Sequence, residues 1–100
     1  MSVKGIDVPG RAVADLCRRY HIRRLAIFGS VLRGELRPDS DIDVLVEFEE
    51  GRTPGFAFFD IQDELSRMIG RRVDLNTPHF LSPHIRQRVE EEAEVVFGAE

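Results

Sequence analysis

Apolar positions in the first third of the chain follow helical spacing and then strand spacing. Residues 11–20 carry apolar side chains every three or four positions, which predicts an amphipathic helix. The apolar face of this helix consists of Val13, Leu16, Cys17 and Tyr20. A continuous apolar run at residues 25–28 ends at Gly29 and predicts a strand that is buried on both faces. A brief helical turn is expected over residues 30–35.

The next predicted strand runs from Asp41 to Phe48 and alternates between two faces, after a loop at residues 38–40. One face carries Ile42, Val44, Val46 and Phe48, and the other carries Asp41, Asp43, Leu45 and Glu47. Same-face neighbours in a strand lie roughly 6.5 to 7 Å apart at Cα. The carboxylates of Asp41 and Asp43 can therefore converge on one metal ion or on a pair of ions.

A second amphipathic helix and a third strand follow a polar loop at residues 49–55. The helix is marked by apolar residues at helical spacing and is stopped by Gly70. Its apolar stripe consists of Phe58, Ile61, Leu65, Met68 and Ile69. In the strand, residues 71–76, Asp74 lies on the face opposite Val73 and Leu75.

The C-terminal part predicts one more helix and one more strand. Ser82-Pro83 has the composition of a helix N-terminus, with Ile85, Val89 and Ala93 on one helical face. Residues 95–97 are apolar and predict an edge strand. The alternation of helices and strands indicates a single α/β domain over residues 1–100, with no internal repeat and no linker.

Composition narrows the functional classes. The chain has 100 residues, of which 42% are apolar and 32% are charged, as in ordinary soluble globular domains. No apolar run is long enough to span a bilayer, and the N-terminus lacks the apolar stretch of a signal peptide. The single Cys17 cannot form an internal disulfide, so a reducing cytoplasm is the expected location. A net charge of −4 argues against direct nucleic-acid binding.

Candidate chemistry is concentrated between Gly29 and Asp43. Gly29-Ser30 is followed by ten residues and then by Asp41-Ile42-Asp43. Glycine lets the backbone approach phosphate oxygens closely, and Ser30 offers a hydroxyl group and a backbone N–H. Asp41 and Asp43 supply the oxygen ligands that Mg²⁺ takes together with substrate phosphates. This spacing predicts a site for a nucleoside triphosphate.

A calcium-binding loop is a competing explanation for the aspartates. Positions one, three, five and twelve of that template are occupied by Asp39, Asp41, Asp43 and Glu50. Position six requires a sharp turn and favours glycine, but it holds Val44, and the following residues alternate as a strand. We therefore reject the calcium loop.

The aspartates could also line a solvated face of the sheet. Aspartate is nevertheless a poor strand former, and two carboxylates on one face repel each other unless a cation neutralises them. If the strand that carries Asp74 is a neighbour, all three carboxylates can gather at one site. Such a gathering is unfavourable without metal.

The roles of Arg33 and of three phenylalanines stay open at the sequence level. Arg33 follows Ser30 by one helical turn and could contact phosphate, or it could pair with a nearby carboxylate such as Glu35. Phe56 and Phe59 could stack on a base or contact a partner, whereas core packing is the better reading of Phe58.

These motifs together resemble a known family. Gly29-Ser30, Arg33-Gly34, Ser40 to Asp43 and Val73 to Leu75 are similar to the minimal nucleotidyltransferase domains of the DNA polymerase β superfamily. The resemblance implies an α/β (α+β) nucleotidyltransferase fold, a small mixed sheet with helices packed against it. It also implies that Gly29 and Ser30 hold the β and γ phosphates and that Asp41 and Asp43 hold two Mg²⁺ ions. Asp74 would be a third carboxylate that binds one metal and helps deprotonate an acceptor hydroxyl.

Chain length limits what such a domain can do alone. One hundred residues leave no room for the extra helical domain with which larger members hold the base and the acceptor. The chain looks like the antitoxin half of a toxin–antitoxin module whose partner is a HEPN-type ribonuclease. The resemblance implies transfer of AMP from ATP to a tyrosine hydroxyl of that toxin.

Two alternative functions remain from the sequence. The domain could neutralise a partner by contact alone, with a vestigial nucleotide site. It could also be a transferase that modifies a small molecule such as an antibiotic, with a homodimer building the missing wall. The sequence is compatible with a homo-oligomer or a hetero-oligomer.

Overall fold

A four-stranded mixed β-sheet organises the fold in a computed structural model that describes residues 1–35, 37 and 39–98. Pro38 of the predicted loop lies outside the described residues. The elements in chain order are β1 (Ser2–Val3), β2 (Ile6–Asp7), α1 (Gly10–Arg19), β3 (Ile22–Phe28), a 3₁₀ turn (Gly29–Arg33), β4 (Ile42–Phe48), α2 (Ala57–Ile69), β5 (Val73–Asn76), a second 3₁₀ turn (Pro78–Phe80), α3 (Pro83–Glu92) and β6 (Glu94–Gly98). This arrangement confirms the predicted α/β class and the mixed sheet.

The strands of the sheet lie in the order β5-β4-β3-β6. β3 pairs antiparallel with β4 and with β6, whereas β4 and β5 are parallel and are connected through α2. A parallel pair needs such a crossover connection because its second strand must start at the same end as the first. The prediction that residues 95–97 form an edge strand is confirmed. β3 begins at Ile22, earlier than the predicted start at Leu25.

The two faces of the sheet have different helical cover. α1 and α2 contribute Val13, Leu16, Ile61 and Leu65 to a buried cluster that also contains the β4 residues Ile42, Val44 and Val46. A smaller cluster on the other face joins Phe28 and Leu45 of the sheet to Val89 of α3. The predicted alternation of β4 is therefore confirmed. Because Asp43 has the same strand parity as Leu45, it lies on the face that α3 covers.

An N-terminal hairpin is the element that the sequence did not predict. β1 pairs antiparallel with β2 across a tight turn in which Lys4 has a φ of 50° and Gly5 a φ of 87°. Val3, Ile6 and Val8 are buried in the larger cluster. Strands of two residues are too short to show periodicity, so the pattern of apolar positions could not predict them.

α3 packs less completely than its sequence pattern suggested. Val89 is buried and Ala93 packs against the same cluster, but Ile85 is 52% exposed. Ser82 is the N-cap residue as predicted, although its side chain makes no capping hydrogen bond. The part of α3 near Ile85 therefore stands away from the sheet and leaves space beside β3 and β4.

Among the described residues, no helix combines the length and the hydrophobicity that crossing a bilayer would require.

Two hydrogen bonds to Glu64 join α1 to α2. The Tyr20 hydroxyl donates to Glu64 Oε2 at 2.7 Å, and Arg19 Nη1 donates to Glu64 Oε1 at 2.8 Å. The hydrogen bond from Tyr20, followed by that from Arg19, holds the pKa of Glu64 below its ordinary value. Hydrogen bonds to the charged form of a carboxyl favour that form.

Replacing Glu64 should therefore destabilise the fold in a pH-dependent way. Glu64→Gln is expected to lower the free energy of unfolding at pH 7 by roughly 1 kcal/mol. Because the pKa of Glu64 is lower in the folded state, the stabilisation is present above the unfolded value of about 4.3 and is lost as pH falls through the folded value. Urea unfolding at several pH values measures this difference, with Glu90→Gln on the exposed face of α3 as the control. A constant deficit from pH 7 to pH 2 would contradict the assignment.

Candidate active site

The predicted site residues lie at the end of the sheet where β3 finishes and β4 and β5 begin. Gly29 directly follows β3. Asp43 is the second residue of β4, and Asp74 is the second residue of β5. The strand register pairs Asp43 with Phe28 on one side and with Asp74 on the other. Neighbouring strands lie about 4.8 Å apart, so the two aspartates emerge side by side on the face that α3 covers.

Gly29 is required at its position by two independent features of the structure. Its φ of 86° lies in the left-handed region that side chains other than glycine rarely adopt. A Cβ atom at residue 29 would overlap Asp43 Oδ2 and lie 3.0 Å from Asp43 Cγ. The carboxylate of Asp43 therefore rests directly against the Gly29 backbone, so the turn and the metal-ligand candidate form one unit.

The three carboxylates share one electrostatic environment. Partial burial raises the pKa of Asp43 above its ordinary value, and the negative charges of Asp74 and Asp41 raise it further, against the opposing effect of Arg33. Asp41 lies just before β4, where its Oδ1 is 3.9 Å from Arg72 Nε. In the part of the chain that the structure describes, no three His, Cys, Asp or Glu side chains are close enough to hold one ion. The negative charges of Asp41 and Asp74 therefore act on Asp43, but the three carboxylates do not form a ready-made ligand set for one ion.

Ser30 lies in the 3₁₀ turn that follows Gly29. Its carbonyl oxygen accepts a hydrogen bond from the Glu35 backbone N–H at 3.0 Å, which closes the turn. The residue as a whole is half-buried, and its hydroxyl group makes no hydrogen bond among the described residues. Contact of this hydroxyl group with a phosphate beside Gly29 stays a prediction.

Arg33 pairs with Glu35, which is one of the two interpretations that the sequence left open, and also with Glu92 of α3. Its Nε lies 3.4 Å from Glu35 Oε1, and its Nη1 lies 3.9 Å from Glu92 Oε2 in α3. The same residue lines the cleft that contains Gly29 and Asp43. Arg33 is thus paired with carboxylates and also lines the cleft, so its contact with phosphate stays a prediction.

The cleft beside Asp43 has a second wall that sequence reasoning missed. Its volume is about 280 Å³, close to the lower limit of typical ligand pockets. The helix α3 supplies the second wall through Ile85, Arg88, Val89 and Glu92. These residues are spaced i, i+3, i+4 and i+7, so one helical face carries them all. The stripe from Ile85 to Val89 was visible in the sequence, but its opposition to Gly29 depends on how α3 docks.

The exposed phenylalanines lie away from this cleft. Phe56 is 90% exposed and Phe59 is 60% exposed, at the N-terminus of α2. α2 begins after the C-terminal end of β4, which is the end remote from Asp43. This position argues against stacking on a nucleotide held at Gly29. Phe58 packs against the core as predicted, and partner contact by Phe56 and Phe59 stays a prediction.

Sequence comparison identifies relatives that cover most of the chain. The profile of the nucleotidyltransferase domain family matches residues 11–96. A Methanocaldococcus jannaschii protein with the provisional name protein adenylyltransferase is 42% identical over 79 residues, 77% of this chain and 79% of that protein. The protein adenylyltransferase MntA of Thermococcus cleftensis is 42% identical over 62 residues, 61% of each chain.

Structural comparison gives the same fold. A solved structure described as a minimal nucleotidyltransferase is 44% identical, with a TM-score of 0.71 over 85% of this chain and 86% of that chain. A toxin–antitoxin crystal structure with AMP-PNP has a TM-score of 0.72 over 93% of this chain and 76% of that chain. Its sequence identity is 21%, so this second likeness concerns the fold alone. Together these matches confirm the nucleotidyltransferase fold expected from the motifs.

A side chain at position 29 should destabilise the turn. Gly29→Ala is expected to lower the free energy of unfolding by roughly 1 to 3 kcal/mol, because it combines an unfavourable φ with overlap on Asp43. Gly55→Ala is the matched control, since nothing lies within 4 Å of a Cβ built there. Urea unfolding compares the two variants, and equal stability would show that Gly29 is not constrained as described.

The coupling between carboxylates can be measured by titration. Asp43 is expected to titrate above the ordinary aspartate pKa of about 3.9. Asp74→Asn removes one of the charges that raise the Asp43 pKa and should therefore lower it. Carbon-detected NMR of the Asp43 carboxyl group follows this titration, with Asp63→Asn on α2 as the control. An Asp43 pKa that is unchanged by Asp74→Asn would contradict the proximity of the two side chains.

Proposed function

The chain belongs to the nucleotidyltransferase domain family, and on that premise we propose that it transfers AMP from ATP to a hydroxyl group of a partner protein. The enzyme class follows from the family match and from relatives that are named protein adenylyltransferases. The donor, the metal requirement, the site roles and the acceptor are our proposal. The observation that supports it most directly is that Asp43 is paired with Asp74 of β5 on one side and packs against the Gly29 backbone on the other.

The donor set of the site fits a hard divalent cation. Asp41, Asp43 and Asp74 offer only carboxylate oxygens, which is the ligand type of Mg²⁺. Partial burial, together with the negative charges of Asp74 and Asp41, raises the pKa of Asp43, so a cation at this place would favour the ionised form. Two Mg²⁺ ions, when bound, neutralise triphosphate charge and activate the acceptor hydroxyl. Phosphate oxygens and water would complete the ligand set.

The order of residues across the sheet separates the proposed position of the leaving pyrophosphate from that of the acceptor hydroxyl. On the β3 side, Gly29 gives phosphate oxygens access to the backbone, and the Ser30 hydroxyl can donate to the β or γ phosphate. On the β5 side, the exposed Asp74 can accept a proton from the acceptor hydroxyl. Asp43 lies between them. This order suits an in-line displacement, in which the hydroxyl attacks the α-phosphorus from one side and pyrophosphate leaves on the other.

The acceptor side of the site is open in a way that suits a protein substrate. β5 is the outer strand of the sheet, and Asp74 is exposed on it. A hydroxyl group on another protein can therefore reach Asp74 without passing through the donor cleft. We propose a tyrosine of a HEPN-type toxin as this hydroxyl and an antitoxin role for the chain. A toxin–antitoxin structure of the same fold supports this choice. Because its sequence identity is low, the partner has to be identified by experiment.

Asp43→Asn should abolish transfer while leaving the fold intact. Loss of a metal-ligand charge from a phosphoryl-transfer site is expected to reduce the rate by about 10³-fold or more. The protein is incubated with Mg²⁺, each nucleoside triphosphate in turn, and the protein encoded by the neighbouring gene. Intact-mass spectrometry then measures the addition of one nucleoside monophosphate.

Two controls separate the proposed function from its alternatives. Asp63→Asn on α2 should transfer at the wild-type rate, and circular dichroism should show that Asp43→Asn is folded. If Asp43→Asn still neutralises the partner in cells, the domain acts by contact alone. If the wild type modifies a small hydroxylated molecule and leaves the partner unmodified, the acceptor class is wrong.

A further inference from the structure

The α3 wall of the cleft carries a cation that none of the motifs includes. Val89 of α3 is buried against Phe28 and Leu45, and this contact fixes the orientation of the helix face. Arg88, the residue before Val89, is exposed and lines the same cleft as Gly29 and Asp43. An arginine on α3 therefore lines the same cleft as the turn proposed to bind phosphates.

Arg88 differs from the other cleft arginine in its ion pairs. Arg33 lies near both Glu35 and Glu92, so the acidic residue of the α3 wall is already engaged. Over residues 1–35, 37 and 39–98, no carboxylate lies within 4.0 Å of the Arg88 side chain. Arginine presents five N–H donors in a planar fork that matches phosphate oxygens. Arg88 therefore lines the cleft without an ion-pair partner among the described residues.

The charge distribution around the cleft indicates which part of a nucleotide this cation would meet. Carboxylates lie on the β4 and β5 side, where Asp43 and Asp74 are paired in register. Arg88 and Arg33 lie on the side of Gly29 and α3. Terminal phosphates at Gly29 would thus lie between the carboxylate side and the arginine side. The α3 side has no role in the family motifs set out above.

We propose that Arg88 binds the β and γ phosphates of the donor nucleotide and stabilises the departing pyrophosphate. The inference rests on the proposed function and deepens it. In the transfer, a bond forms between the acceptor oxygen and the α-phosphorus, and the bond from that phosphorus to the bridging oxygen breaks. The electron pair of the broken bond stays on pyrophosphate, and the acceptor proton passes to Asp74. Negative charge thus grows on the group that Arg88 contacts, where a charge-assisted hydrogen bond is strongest.

The proposal predicts a selective loss of affinity for nucleotides with terminal phosphates. Arg88→Ala in the full chain is expected to weaken Mg²⁺-ATP binding by about 10-fold to 100-fold, the effect of losing a charge-assisted hydrogen bond. Binding of AMP, which lacks the β and γ phosphates, should change less than about 2-fold. Arg88→Lys keeps the charge without the fork and should recover part of the ATP affinity.

Arg11→Ala is the matched control, because Arg11 is an exposed arginine on α1, the helix that packs on the opposite face of the sheet. It removes the same charge and should leave both affinities unchanged. Isothermal calorimetry measures the affinities, and thermal unfolding verifies that each variant is folded. Arg88→Lys provides a second folded variant if the alanine variant loses stability.

The outcomes distinguish this inference from the function on which it rests. If the wild type transfers AMP and folded Arg88→Ala binds ATP as tightly as the wild type, the role of Arg88 is wrong and the function stands. Equal loss of ATP and AMP affinity would place Arg88 on the α-phosphate, the ribose or the base, and would also overturn it. If the wild type neither binds ATP nor transfers any nucleotide, both the function and the inference fail.

Discussion

The contact between the Asp43 carboxylate and the Gly29 backbone is the constraint on which the rest of the site depends. It needs a residue without Cβ at the end of β3 and a strand register that brings Asp43 next to Phe28. Antiparallel pairing of β3 with β4 supplies the register, and the left-handed φ at Gly29 turns the chain away from the sheet. Because both features belong to the backbone, they fix the position of the turn that we propose to bind phosphate relative to Asp43, which we propose to bind metal.

One face of the sheet carries most of the buried apolar core, and the other face carries the cleft that contains the proposed site. On one face, α1 and α2 bury the larger apolar cluster and are joined through Glu64. On the other face, α3 makes a small contact centred on Val89 and leaves a cleft over Asp43. Parallel pairing of β4 and β5 then adds Asp74 at no cost to the core, because alternation keeps Val73 and Leu75 on the packed face. Substitutions at the exposed Asp74 are therefore expected to have little effect on the packing of the core.

The sequence predicted what depends on local periodicity and on motif spacing. Alternation in β4 placed Asp43 opposite the core face, and the position of Asp74 between Val73 and Leu75 placed it on the same side. The N-terminal hairpin was missed because two-residue strands have no period. The α3 wall was missed because docking of Val89 decides what Arg88 faces, and docking depends on contacts between distant parts of the chain. The exposed position of Phe56 and Phe59 likewise follows from where α2 begins.

A crystal structure of the chain with Mg²⁺ and a non-hydrolysable ATP analogue tests the central claim most directly. We expect the terminal phosphates to contact Gly29 and Ser30, and metal ions to be bound by Asp41, Asp43 and Asp74. The α-phosphorus should lie near Asp43, and the side of it that faces β5 should be accessible to an acceptor hydroxyl. Phosphates bound at another part of the surface, or a nucleotide held without contact to Asp43, would contradict the account.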